Sequence, residues 1–492
     1  MTAMFQDKYV FAQLTAFLNR TQFNNYVRKY DGNRDVKHFT CWNQLLAMMF
    51  GQLSNRESPF LLHSRLPKSV HFSLPFTSVF RFVRLVSSRG APVCGLWLFV
   101  FCELFGKVME MSYLCYDINL CGMAILEKIV VQDYRNIALA ELEFSANINC
   151  ISGGNGEGKT NLLDAVWYLS MTKSAFRSSD RDNFRYGADS FSISGNYLMQ
   201  SALRSRFSIK VMHKGEKKLR RDDKPYQRIS EHIGELPVVM VSPDDVSLVS
   251  DSGEDRRRFM NMVLSQMDNE YLSDVQQYNK LLGQRNSALK NYRPDMALLE
   301  IMEERMSVYA SRIYEKRKSF AERLSPVVEK FYHDLSGGRE KVVVGYKSDL
   351  EAGALTELLA AARNKDLVLG YTSAGPQRDD LTFGMNGHPI RRCGSQGQQK
   401  SFLVSLKFAQ YELMKESFGV PPMLLLDDVF DKLDMSRTAN LLAMVAGNEF
   451  GQIFITDSNK VRLAGIVDSI TSDRAYFETE GGNFRRVENG QI

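Results

Sequence analysis

The chain has 492 residues, enough for two to four domains, and a formal net charge of +5. Its composition, 44% hydrophobic and 24% charged, is that of a globular protein and excludes a disordered or fibrous one. The longest apolar run, residues 92–102, is shorter than the roughly 20 residues that a membrane-spanning helix needs. No cysteine pair has CxxC spacing and no signal peptide is visible, so we expect a reduced, cytoplasmic protein.

Residues 1–122 differ from the rest and carry the positive charge, because residues 123–492 are close to neutral. Four short segments resemble the N-terminal domain of a bacterial insertion-sequence transposase: residues 9–14, 31–34, 36–46 and 50–58. The resemblance ends near residue 60, and no sustained helical or strand period follows before Met123. We expect residues 1–122 to be an extraneous extension that includes a transposase-like remnant. A regulatory N-terminal domain is the alternative.

Residues 123–255 are expected to form the first lobe of an α/β ATPase head. Strand-like runs lead to a loop that fits the P-loop pattern G-x-x-x-x-G-K-[ST]. The expected ATP-binding residues are Gly153, Gly154, Asn155, Gly156, Glu157, Gly158, Lys159 and Thr160. Backbone N–H groups of such a turn approach phosphates closely, and the following helix, from about residue 161 to 170, points its positive end at them. Lys159 would act catalytically on the β and γ phosphates, and Thr160 would bind Mg²⁺.

A basic run lies further along this lobe, near a predicted hairpin, at Lys214, Lys217, Lys218, Arg220 and Arg221. It is either a solvated loop or a contact with the phosphate backbone of DNA.

Residues 256–335 are expected to form a short helical arm. Apolar residues at helical spacing define one segment around residues 260–267 and a second around residues 298–313. Pro294 separates the two segments, which predicts a helical hairpin. Arg256, Arg257 and Arg258 open the arm, and a solvent-facing start of the helix is one interpretation of them.

Residues 336–492 are expected to form the second lobe. Ser395, Gln396, Gly397 and Gln398 precede a helical pattern and are similar to the signature motif of ABC-type ATPases, which meets ATP bound by another subunit. An apolar strand then ends in two carboxylates, with Asp427 as the expected Mg²⁺ ligand and Asp428 as the catalytic group that polarises water. Asp434 lies in a segment that resembles the D-loop. A final strand ends at Thr456 and Asp457, where ABC transporters place a histidine.

Six motifs occur in order along residues 123–492. They are residues 134–136, the P-loop with residues 161–165, residues 243–249 with 256–261, residues 373–381, the signature, and the acidic strand. With these motifs in this order, residues 123–492 resemble the RecF family of DNA-repair ATPases. The resemblance implies an α/β fold of the ABC/SMC-type P-loop head with a short inserted helical arm. It also implies a weak, DNA-stimulated ATPase of recombinational repair, replication and the SOS response. Such a protein dimerises with ATP, binds single-stranded and gapped duplex DNA, and aids recombinase loading with RecR and RecO.

Two other functions remain open at this point. An ABC-type ATPase of a transporter would share the P-loop and signature, although the helical arm, Asp428 and the missing histidine oppose it. A transposase-derived DNA-binding protein would depend on residues 1–60. DNA stimulation of hydrolysis separates the first alternative from the RecF interpretation, and removal of residues 1–122 separates the second.

Overall fold

The computed structural model describes residues 124–176, 178–199, 203–251, 253–291, 294–430, 437, 440, 441, 444, 450–459, 465, 467 and 471–487. The expectations for residues 1–122 and for Asp434 lie outside these residues.

The described part of the chain contains both strands and helices, mostly in consecutive runs of one type. In chain order the strands are β1 (Ile125–Tyr134), β2 (Ile137–Glu143), β3 (Ile148–Ser152), β4 (Ser190–Leu198), β5 (Arg204–Met212), β6 (Lys217–Arg221), β7 (Lys224–Pro225), β8 (Val238–Val241), β9 (Val342–Lys347), β10 (Asp380–Met385), β11 (His388–Pro389), β12 (Met423–Asp427), β13 (Ile453–Asp457), β14 (Arg474–Glu480) and β15 (Asn483–Val487). The α-helices are α1 (Lys159–Met171), α2 (Ser247–Ser250), α3 (Gly253–Met267), α4 (Asn269–Leu289), α5 (Met296–Ser336), α6 (Leu355–Leu369), α7 (Ile390–Cys393) and α8 (Gln396–Phe418).

The central sheet has the strand order β15-β14-β3-β13-β12-β8, with β14, β3, β13, β12 and β8 parallel and β15 antiparallel at the edge. Strands β3, β8, β12 and β13 are buried along their whole length, as expected of continuous apolar strands covered on both faces. Strands from before and after the arm therefore share one sheet. The predicted head with an inserted arm is the observed architecture.

A second sheet is antiparallel, with the order β2-β1-β4-β5-β6-β7. Strands β4 and β5 alternate buried and solvent-facing residues, as in a sheet covered on one face. The buried face packs on α1 in a cluster that includes Ile129, Ile193, Ile209 and Leu169. This packing fixes α1, and hence the loop before it, against the sheet.

The arm differs from the predicted hairpin. The break near Pro294 is confirmed, but the part of the arm before it contains two helices, α3 and α4, rather than one. Asp268 separates them because its carboxylate accepts hydrogen bonds from the N–H groups of Glu270 (2.9 Å) and Tyr271 (3.1 Å) and so caps α4. The second segment is the 41-residue helix α5, which continues through Pro326 and packs along α8 of the second lobe.

The sequence did not predict α6 or the small sheet β11-β10-β9, which packs against α5. Both lie between the arm and the signature. Within the described residues, no helix is both long enough and apolar enough to cross a membrane.

His232 lies under the antiparallel sheet with its side chain fully buried. Its Nε2 donates to the Leu169 carbonyl at 2.7 Å, and the Tyr226 hydroxyl lies 3.3 Å from Nδ1. Burial lowers the pKa of this imidazole to about 4. The folded protein therefore resists protonation that the unfolded chain accepts below about pH 6.5.

The contribution of His232 to the free energy of unfolding is fully present above pH 6.5 and is lost as the pH falls toward 4. We expect the free energy of unfolding to drop by about 2 kcal/mol between pH 7 and pH 5 on account of this group. Urea titrations of the wild type and His232→Gln, which keeps an N–H donor but does not titrate, measure it. An equal pH dependence in both proteins would contradict the assignment.

Candidate functional site

The P-loop connects β3 to α1 at the carboxyl edge of the central sheet. Gly158 is the N-cap residue of α1, has φ 107°, and no side chain caps the helix there. The first N–H groups of α1 are thus not occupied by a side-chain cap, as an anion site at a helix N-terminus requires. Lys159 is 4% exposed and its Nζ donates to the carbonyls of Gly153 (2.8 Å) and Gly154 (2.9 Å).

The turn between β14 and β15 holds the P-loop through hydrogen bonds to Glu157. The Thr479 hydroxyl donates to the Glu157 carbonyl at 2.8 Å, and the Gly482 N–H donates to the same oxygen at 3.0 Å. The Gly481 N–H also donates to the Glu157 carboxylate. A Cβ at Gly153 would lie 2.6 Å from the Thr479 carbonyl oxygen, so only glycine fits there. The loop is held in shape by contacts more than 300 residues away in the chain.

The acidic strand β12 brings its first carboxylate to the P-loop. Both oxygens of Asp427 lie within 3.0 Å of the Thr160 hydroxyl, which places the two predicted Mg²⁺ ligands together. Asp427 is 2% exposed, and burial raises the pKa of its carboxyl to about 6. Within the described residues, no group of three or more His, Cys, Asp or Glu side chains forms a metal cage. A Mg²⁺ ion held by one carboxylate, one hydroxyl and substrate phosphates needs no such cage.

Thr456 holds the acidic pair, and sequence reasoning missed this. It lies on β13, between the P-loop strand and the acidic strand, in register with Asp427. Its buried hydroxyl donates to Asp427 Oδ1 at 2.7 Å and accepts from the N–H of Asp428 at 3.0 Å. Asp428 has φ 44°, an uncommon conformation for a residue with a side chain. The sequence feature that could have identified Thr456 is a hydroxyl residue at the end of an apolar strand.

The Tyr134-Arg135-Asn136 turn and the P-loop helix, two separate motifs in the sequence, are in contact. Asp164 of α1 is fully buried, accepts from the Tyr134 hydroxyl at 2.7 Å, and pairs with Arg135 at 2.9 Å. Asn136 Oδ1 accepts from Asn161 Nδ2 at 2.8 Å. The turn therefore buttresses the first half of α1 and with it the phosphate loop.

The signature residues lie at the start of α8, where Ser395 is the N-cap residue. Ser395 and Gln398 form a capping box, with Gln398 Oε1 accepting from the Ser395 N–H at 2.8 Å and the Ser395 hydroxyl accepting from the Gln398 N–H at 3.3 Å. Ser395 and Gln396 are exposed, and Gly397 is half-buried. In the part of the chain that the structure describes, the N–H and hydroxyl of Ser395 both bond to Gln398, its carbonyl accepts from the Gln399 N–H at 2.9 Å, and none of these bonds reaches the P-loop.

The arginines that open the arm bind another motif rather than facing solvent. Arg256 forms a bidentate pair with Asp380 at 2.7 and 3.0 Å, and Arg257 donates to the Asp379 carbonyl at 2.9 Å. Arg258 donates to the Ala175 carbonyl at 3.1 Å, near the end of α1. The solvent-facing interpretation is therefore wrong. These residues join the arm to both lobes.

Comparison with known proteins agrees with this architecture. A family model described as the RecF/RecN/SMC N terminal domain matches residues 125–472. A protein of Parabacteroides distasonis named DNA replication and repair protein RecF is 42% identical over 364 residues, which cover 74% of this chain and 100% of the relative. A protein of the same name from Porphyromonas gingivalis is 43% identical over 75% of this chain and 99% of its own length.

The chain belongs to the RecF family. A solved structure titled recombination mediator protein RecF-ATPrS in the RecFOR pathway is 28% identical, with a TM-score of 0.67, and the match covers 75% of this chain and 99% of that one. A second, titled RecF-ATP, gives a TM-score of 0.68. Membership in the RecF family rules out the transporter interpretation.

RecF relatives align over nearly their whole length yet leave about a quarter of this chain uncovered. A separate family model, described as a domain of unknown function (DUF4372), matches residues 6–59. That range coincides with the segment that resembles a transposase domain. The chain thus combines a RecF-type part with an N-terminal segment of a different family.

Proposed function

We propose that this RecF-family chain is an ATPase of DNA replication and repair that hydrolyses ATP at a site completed by a second copy of itself. One observation carries the proposal: the P-loop, Thr160 and Asp427 meet at one sheet edge, while the signature is exposed at the start of another helix. ATPase activity is the activity of this family. The RecF structures solved with ATP and an ATP analogue support ATP as the nucleotide.

The residues present fit ATP and Mg²⁺. Gly153 to Thr160 would receive the phosphates on backbone N–H groups, with Lys159 released from the loop carbonyls toward the β and γ oxygens. Thr160 and Asp427 supply hydroxyl and carboxylate oxygens, the ligands that Mg²⁺ prefers. When bound, Mg²⁺ would neutralise charge that builds on the phosphates.

Hydrolysis requires water in line with the γ-phosphate. Asp428 follows Asp427 at the strand end and would orient and polarise that water as the catalytic carboxylate. Lys159 would stabilise the charge of the transition state. Thr456 is a positioning residue in this scheme, because it fixes the Asp427 carboxylate and the backbone of Asp428 with one hydroxyl.

Thr456→Val keeps the shape of the side chain and removes the hydroxyl. We expect kcat for ATP hydrolysis to fall by roughly 10- to 100-fold with KM nearly unchanged, since a positioning error of the acids acts on the chemical step. Steady-state hydrolysis assays separate the two constants, and Thr456→Ser should recover most of kcat. A raised KM with normal kcat, or no recovery by serine, would count against a positioning role.

The signature would act in trans. Ser395, Gln396, Gly397 and Gln398 present a hydroxyl and the N-terminus of the 23-residue helix α8 on the surface, where a γ-phosphate bound by a second subunit can meet them. A two-fold dimer then contains two composite sites, and ATP binding closes it. Asp434 is proposed to lie at the same interface.

We further propose that the dimer binds single-stranded and gapped duplex DNA in the cytoplasm and aids recombinase loading with RecR and RecO. Relatives named DNA replication and repair protein RecF, and a structural neighbour that is a recombination mediator protein of the RecFOR pathway, support this. Residues 1–122 are proposed to be dispensable, because complete RecF relatives align without them. The chain from Met123 to Ile492 should then fold and hydrolyse ATP like the full chain. Loss of folding on that truncation would revive a functional extension.

Mixed dimers provide the decisive test of a shared site. Lys159→Met and Ser395→Arg should each be inactive alone, whereas an equal mixture should recover hydrolysis, up to about half of the wild-type rate, because each heterodimer carries one intact composite site of two. The assay is run with and without gapped DNA, which should stimulate both wild type and mixture. Full activity of Ser395→Arg alone would contradict the proposal.

A further inference from the structure

The strand β6 divides the basic run of residues 214–221 between two environments. Lys217 points to the buried side, where Nζ donates to the Thr172 carbonyl at 2.7 Å and pairs with Asp180 at 2.8 Å. Arg221 pairs with Glu235 at 2.7 Å. Arg220 and Lys218 are exposed on the opposite, outer face of the sheet. The run therefore does not act as one unit, and its outer members belong to a different surface.

That surface is the outer face of β4, β5 and β6. The register aligns Ser194, Ser208 and Arg220 in one row, and Ser192, Lys210 and Lys218 in the next. A third row places Asn196 beside Arg206. Short polar side chains thus form a floor between exposed cations, and a shallow cleft on it is lined by Lys128, Val130, Ser194, Asn196 and Arg206.

The cations of this face differ in how far they are neutralised. Lys128, on the neighbouring strand β1, is paired with Glu141, and Lys218 of β6 is paired with Glu216. Arg206, Lys210 and Arg220 are exposed and have no ion pair with any residue that the structure describes. Three uncompensated cations over a floor of serine and asparagine match the side chains that contact phosphate and sugar in nucleic-acid complexes.

We infer that this outer face binds the phosphate backbone of duplex DNA, an inference that rests on the proposed DNA-binding function and locates one of its contact surfaces. The outward residues of β4 to β6 described here include no aromatic side chain. Single-strand sites combine cations with aromatic residues on which bases stack, and this face offers only the cations. The duplex part of gapped DNA fits it.

The test uses the full chain with Arg206→Gln, Lys210→Gln and Arg220→Gln combined. A matched control replaces three exposed cations of the arm and second lobe, Lys280, Arg305 and Arg339, by glutamine. Binding to a fluorescent blunt duplex is measured by anisotropy across a salt series. We expect the face variant to bind at least about 10-fold more weakly and to reduce the slope of log K against log salt by about 2 to 3. The control and DNA-free ATP hydrolysis should be near wild type.

Several outcomes would overturn the inference while leaving the proposed function intact. In the first, the face variant binds duplex DNA as tightly as the wild type. In the second, the control variant loses as much duplex affinity as the face variant. In the third, the face variant loses affinity only for single-stranded DNA. Displacement of the duplex from the wild type by polyglutamate of equal charge at equal concentration would point to an acidic protein partner instead. Failure of the wild type to bind any DNA would overturn the proposed function itself.

Discussion

Lys159→Met should reduce ATP hydrolysis by about 100- to 1,000-fold, the usual cost of removing one preorganised charge partner of a transition state. Methionine matches the length of the lysine stem but cannot neutralise the β and γ phosphates. The substitution removes the hydrogen bonds from Lys159 to the carbonyls of Gly153 and Gly154. The free energy of unfolding should nevertheless change little, because Gly154 is exposed and water can replace the lysine there. Phosphate release by the purified full chain measures the effect.

Lys217→Met is the matched control. Lys217 also lies on the first lobe and also donates to a backbone carbonyl, but it contacts the end of α1 rather than its start. Its hydrolysis rate should stay within a few-fold of wild type. If Lys159→Met hydrolysed ATP at a similar rate to Lys217→Met, the P-loop would not be the reaction site.

The largest loss of stability is expected for Arg317→Met at the base of the arm. The Arg317 guanidinium is 4% exposed, pairs with the buried Asp379 at 2.6 Å, and donates to the Pro376 carbonyl at 2.7 Å. It also donates to Asn261 Oδ1 at 2.9 Å and to the Tyr271 hydroxyl at 3.0 Å. Removal of one partner leaves a buried carboxylate uncompensated, which costs about 3–5 kcal/mol.

Urea titration of the free energy of unfolding measures this loss. Arg323→Met is the control, because the Arg323–Glu416 pair is more than half exposed on both sides and should contribute less than about 1 kcal/mol. Asp379→Asn combined with Arg317→Met should cost less than the sum of the single changes, since the pair is coupled. Equal losses for Arg317→Met and Arg323→Met would show that the network does not hold the arm.

Local patterns sufficed for much of the fold. The glycines, Lys159 and Thr160 have fixed spacing within one loop, and the buried strands β3 and β12 appear as uninterrupted apolar runs. The two carboxylates at the end of β12 could therefore be assigned to the P-loop edge of a parallel sheet. Asp268 shows the limit of such reasoning, because this single capping residue begins a second helix, α4, that the apolar spacing of residues 260–267 did not predict.

Contacts between distant residues could not be predicted in this way. Thr456 and Asp427 are 29 residues apart, and Arg317 and Asp379 are 62 apart, so no local period relates them. The sequence also did not show which cations are buried and paired and which are exposed, because this depends on the face of the strand from which each side chain extends. Lys217 and Lys218 are neighbours in sequence, yet one is paired beneath the sheet and the other lies on its outer face.

The composite site is tested most directly by the molar mass of the full chain in light scattering with ATP, with ADP and without nucleotide. We expect ATP alone to double the mass of the wild type and of Ser287→Arg, an exposed-serine control on α4. Lys159→Met and Ser395→Arg should remain monomeric under the same conditions. A wild type that stays monomeric with ATP, or a Ser395→Arg variant that dimerises like the wild type, would contradict a site shared between two subunits.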